Sequence, residues 1–75
     1  MLSDKIQIMR QKAFLSQSAF AEELGVAEST INRWETGRSI PNLGALKKIK
    51  TFCEKNDFRY KDIEEAWFAE KRSAK

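Results

Sequence analysis

Gly25 stands between two short amphipathic segments, and the spacing around it constrains this chain more than any other feature. Before it, Ser16 offers an N-cap oxygen, Leu15 is placed to staple the incoming chain, and Ala19, Phe20 and Leu24 make an apolar stripe at helical spacing. After it, only about three residues pass before a second helical pattern begins. That pattern, about Glu28 to Thr36, turns Ala27, Ile31 and Trp34 or Glu35 inward and leaves Glu28, Ser29, Asn32, Arg33 and Thr36 on the other side. Glycine adopts positive φ without a Cβ penalty, so one helix can stop at Gly25 and the next start almost at once. Two helices joined so tightly must cross at a large angle.

The remaining patterns are also helical. Ser3 and Asp4 are placed to cap a first helix with Ile6, Met9, Arg10 and Ala13 on one face, ending near Lys12 to Phe14. Gly37 is a stop, and Pro41 with Asn42 opens a helix over about 42–55, with Leu43, Leu46, Ile49 and Cys53 inward and Lys47, Lys48 and Lys50 outward. After Asn56 and Asp57, the residues Tyr60, Ile63, Ala66 and Trp67 pattern a last helix over about 60–70, followed by a tail, 71–75, expected to fray. The expectation is one all-α domain over 1–70, with a compact core of five helices.

Composition removes several function classes. In a chain of 75 residues one domain with a thin core is expected, without a second, catalytic one. No apolar run approaches the roughly 20 residues that cross a bilayer, and Met1 to Arg10 lack a secretion signal, so a soluble protein of the cytoplasm is expected. One cysteine, Cys53, and no histidine leave neither an internal disulfide nor the usual zinc spacings, so no metal or cofactor is expected. The missing histidine also removes the commonest general base, which argues against an enzyme. Fourteen Lys and Arg against eleven Asp and Glu give a net charge of +3, compatible with a polyanion but not demanding one.

The segment Gln17 to Trp34 resembles the helix-turn-helix of phage-repressor-like (Cro/repressor, or Xre-family) DNA-binding domains, and the likeness extends over roughly residues 5–53. Gln17 opens the motif, Ala21 is the small residue at the helix crossing, Gly25 makes the turn, and Phe20, Leu24, Val26, Ile31 and Trp34 fill the apolar positions. Leu15, Ser16 and Gln17 match the family's opening, and Trp34, Glu35, Gly37 and Pro41 its exit. The resemblance implies a phage-repressor-like fold with the motif over about 16–36, in the second and third helices. It implies double-stranded DNA as partner, and a homodimer reading two half-sites about one helical turn apart. Glu28, Ser29, Asn32 and Arg33 would then face bases, with Arg33 able to pair bidentately with guanine. Gln17, Thr36, Arg38 and the stretch Asn42, Leu43 and Gly44 would grip phosphates. Arg10 and Glu35 match positions that form a partly buried ion pair.

The chain departs from the family at Ala27, where a Ser or Thr cap is usual, and at Phe14, where many relatives have glycine and a bulky residue is strained if the backbone needs positive φ. Ser18 and Phe20 replace the commoner acid and leucine. Trp67 and Phe68 are adjacent, so both cannot point into one small core, and an exposed patch of Tyr60, Trp67 and Phe68 is a candidate dimer interface. The expected function is a sequence-specific transcriptional regulator, a repressor on a short palindromic operator, found in the bacterial nucleoid when bound. No small-molecule effector is evident. The alternative is a helical protein-interaction module that keeps the fold with weak or lost DNA binding.

Overall fold

In the computed structural model, which describes residues 1–73, the chain opens directly into α1, Leu2–Lys12. Met1 is its N-cap, so Ser3 and Asp4 lie inside the helix rather than capping it. The earlier start follows from burial: Leu2 joins Ile6 and Met9 in the core, and its N–H donates to Glu70 Oε2 at 3.5 Å. The second helix, α2, runs from Gln17 to Leu24, with Ser16 Oγ accepting from the Ala19 N–H at 3.1 Å. Its buried residues are Phe20, Ala21 and Leu24, while Ala19 is half-buried. The third, α3, is Glu28–Glu35 and buries Ile31 and Trp34.

Two inward assignments are corrected at helix starts. Ala27 is the exposed N-cap of α3 and makes no side-chain cap. Leu43, the first residue of α4 (Leu43–Lys55), is 71% exposed, while Asn42 Oδ1 caps that helix by accepting from the Ala45 N–H at 2.9 Å. The inward face of α4 is Leu46, Ile49, Phe52 and Cys53. The last helix, α5, is Tyr60–Ser73, with Ile63 and Trp67 buried. Helix thus replaces the expected fraying over 71–73, because Lys71 and Arg72 suit the negative end of the dipole and Lys71 Nζ lies 5.6 Å from the Trp67 ring centroid. Ala74 and Lys75 fall outside the described residues.

Four helices end alike. Each closes with a residue at positive φ followed by a backbone N–H that reaches back to the carbonyl five residues earlier: Leu15 to Arg10, Val26 to Ala21, Arg38 to Arg33 and Phe58 to Cys53. The positive-φ residues are Phe14 (60°), Gly25 (70°), Gly37 (77°) and Asp57 (60°). Glycine or a short acid suits that geometry; phenylalanine does not.

All five helices contribute to the core, and α2 and α4 meet in it through aromatic rings. Phe20 and Phe52 stack edge to face at 5.1 Å, and Phe58 extends the cluster at 6.1 Å from Phe52. Helix α3 packs on α1 and α2, and α5 packs on α1 and α4. Fully buried Ile31 is the anchor that fixes α3 to this platform, so truncating it to alanine costs about 2–5 kcal/mol.

Candidate nucleic-acid interface

Burial of Ile31 and Trp34 on one side of α3 leaves Glu28, Ser29, Asn32 and Arg33 exposed on the other. All four expected base-facing residues therefore share one solvent-facing surface. Short polar groups surround the single long cation, a surface that fits a groove and offers donors and acceptors to base edges. The first turn of α3 has no side-chain cap, but the acidic Glu28 there meets the positive end of the helix dipole.

The far end of α3 is held by one network. Arg10 Nε donates to Glu35 Oε2 at 2.7 Å and Arg10 Nη2 to Glu35 Oε1 at 3.0 Å, a bidentate pair with both side chains largely buried. Arg10 Nη1 also donates to the Leu15 carbonyl at 2.8 Å, and Gln17 Nε2 donates to Glu35 Oε1 at 3.1 Å. One guanidinium thus ties the end of α1, the start of α2 and the end of α3. The hydrogen bond to Glu35 pushes the Arg10 pKa up; burial works against this, and the charge of Glu35 adds to it.

The residues expected to hold phosphates are not equally free. One N–H of the Gln17 amide is committed to Glu35, which leaves the second. Thr36 Oγ1 donates back to the Asn32 carbonyl at 2.8 Å, so its hydroxyl turns lone pairs outward and is a poor partner for an anion. Arg38 is exposed. Asn42, Leu43 and Gly44 are exposed at the start of α4, where first-turn N–H groups lack intrahelical partners. A groove of about 410 Å³ places Asn42 and Gly44 beside Thr30 and Trp34 of α3. Lys48 lines the same groove, and its Nζ lies 3.8 Å from where a Cβ on Gly25 would sit. Helical periodicity assigns Lys48 only to a solvated face, because nothing local in the sequence shows that its stem crosses to the turn.

The aromatic patch is divided. Trp67 is buried and its Nε1–H donates to the Pro41 carbonyl at 2.6 Å, so the indole belongs to the core and not to an exposed surface. Phe68, 48% exposed, packs edge to face on it at 5.0 Å. Tyr60 is half-buried with Lys50 Nζ 5.9 Å from its ring centroid. Among the described residues no helix is long and apolar enough to cross a membrane, and no group of His, Cys, Asp and Glu side chains is gathered to hold a metal.

Comparison with known proteins places this arrangement. The helix-turn-helix family matches residues 6–55. The chain is 38% identical over 50 residues to the HTH-type transcriptional activator BcrR of Enterococcus faecalis, covering 67% of this chain and 24% of that protein. It is 35% identical over 48 residues to Repressor protein C of Escherichia phage P2, covering 64% and 48%. It is 36% identical over 47 residues to Antitoxin HigA-2 of Vibrio cholerae, covering 63% and 45%. The chain therefore spans half or less of the length of these relatives. No solved structure matches it significantly. With its motif filled from Gln17 to Trp34 and its turn closed at Gly25, the chain belongs to the phage-repressor-like, Xre-type helix-turn-helix family of DNA-binding proteins.

Proposed function

We propose that the chain is a sequence-specific transcriptional regulator of the bacterial cytoplasm that lays α3 in the major groove of double-stranded DNA. One observation carries this reading: Glu28, Ser29, Asn32 and Arg33 share the exposed face of a helix whose other face is locked down by Ile31 and Trp34. Arg33 pairs with a guanine edge, Ser29 and Asn32 read neighbouring bases, and Glu28 accepts from a cytosine amino group. The free N–H of Gln17, the guanidinium of Arg38 and the first-turn N–H groups of α4 at Asn42, Leu43 and Gly44 hold the backbone. Thr36 is left out of this set because its proton is used within α3.

A single α3 reads one half-site, so the chain acts as a homodimer on a short palindromic operator and represses by occupying the promoter. Exposed Phe68, with the half-buried Tyr60 on the same helix, supplies the apolar centre of the dimer contact. Supporting the regulator class, the named relatives include a repressor, an activator and an antitoxin.

Paired substitutions test the division of labour. Arg33→Ala should weaken operator binding by about 1–3 kcal/mol and relax the preference at one base pair. Arg38→Ala should weaken all duplexes alike and lower the salt slope by about one. Equal effects of Arg33→Ala on operator and scrambled duplex contradict the reading.

A further inference from the structure

Phe14 is the one residue of the described chain whose side chain works against the fold twice. It sits at φ 60°, in the same helix-ending position that Gly25, Gly37 and Asp57 occupy elsewhere, and it is the only bulky one of the four. Its side chain meets nothing inside, being 95% exposed. The turn needs only the backbone, where the Phe14 N–H donates to the Gln11 carbonyl at 3.0 Å and the Leu15 N–H to the Arg10 carbonyl at 3.2 Å. Glycine would serve that backbone better, so no contact within the described chain accounts for the ring.

Its placement says what does. The next residue, Leu15, has its carbonyl held by Arg10 Nη1, and the same guanidinium holds Glu35 at the end of α3. Phe14 thus stands at the corner joining the start of α2 to the end of the recognition helix. Lys12 is exposed two residues before the ring, and Gln17, with one amide N–H still free, opens α2 three residues after it, while the acid held by Arg10, Glu35, is largely buried and neutralised. An exposed ring between an exposed lysine and the helix-start N–H groups of α2 suits a polyanion that also carries apolar faces, and the DNA backbone is one, with its deoxyribose rings between phosphates. We propose that Phe14 packs its ring on a deoxyribose at the outer edge of the half-site, adding affinity without reading sequence. The inference rests on the DNA-binding reading above.

Labelled duplex carrying the sequence that the wild-type chain selects is titrated with wild type, Phe14→Gly, Phe14→Asn, Phe14→Tyr and Arg33→Ala, alongside thermal melts of each protein. Phe14→Gly should melt about 4–8 °C higher, because strain is relieved. It should nevertheless bind about fivefold more weakly to selected and scrambled duplex alike, with the salt slope unchanged because no phosphate contact is lost. Phe14→Asn, which tolerates left-handed backbone, should bind like the glycine variant, and Phe14→Tyr like wild type. Unchanged affinity in Phe14→Gly, with Arg33→Ala still destroying preference, overturns the contact and leaves the DNA reading intact. A lower melting point for Phe14→Gly overturns it too, by showing that the ring supports the fold. Weaker binding accompanied by loss of dimer mass assigns the ring to a protein contact instead. Failure of the wild-type chain to bind any duplex contradicts the reading itself, and the deoxyribose contact falls with it.

Discussion

Removing the Arg10 side chain would leave the Glu35 carboxylate buried with a single hydrogen bond from Gln17. Stranding a charge in this way costs about 3–5 kcal/mol, whereas replacing both partners with apolar groups of similar size is often close to neutral. Arg10→Ala should therefore lower Tm by upward of roughly 10 °C, and Arg10→Met with Glu35→Leu should recover most of the loss. An unchanged Tm for Arg10→Ala contradicts a structural role for the pair. Cys53 gives a second test at this scale. Burial pushes its thiol up to about 11, with the charge of Glu54 adding, and burial also raises Tyr60, helped by Glu64 and Cys53. Both groups are held neutral by the fold, so their contribution is complete below their ordinary values and is lost as pH climbs through the raised ones. Stability against urea should fall between about pH 9 and 11, and Cys53→Ala should flatten part of that fall. A flat profile in the wild-type chain contradicts the burial argument.

At the scale of elements, α3 enters its first turn without a capping side chain. Ala27→Ser should add about 1 kcal/mol, read as a higher urea midpoint at constant m, and leave the selected DNA sequence unchanged. Helix existence and the outward face of α3 were legible from periodicity, because Ile31 and Trp34 must face the platform and everything opposite them must face solvent. Starts were read less well for a physical reason. Side chains on a helix lean toward the preceding turn, and at Ala27 and Leu43 there is no preceding turn for them to cover. Periodicity alone therefore assigned inward two residues that stand beyond the core. Phe52 was missed for the opposite reason: it borders Cys53 on the inward face, and only the meeting with Phe20 shows that the face is wide enough for both.

Across the whole molecule, contacts remote in sequence do what no local pattern announces. Trp67 donates to Pro41, 26 residues away, and so ties α5 to the loop that presents Asn42 to Gly44. Trp67→Phe keeps a ring but strands a buried carbonyl, and should cost about 1–3 kcal/mol. With Trp67 turned inward, the proposed dimer contact rests on Phe68, so Phe68→Asp should bring the mass at high micromolar concentration to 8.7 kDa without lowering helicity. A wild-type chain that is already monomeric under those conditions contradicts the dimer contact.

Selection of duplexes from a random pool, by wild type and Arg33→Ala at two salt concentrations, tests the major-groove reading most directly. Recovery of a two-fold symmetric sequence that loses definition at one position per half-site in Arg33→Ala is the predicted result. No enrichment by the wild-type chain at either salt, or the same sequence recovered with equal definition by Arg33→Ala, would contradict a recognition helix that reads bases through Arg33.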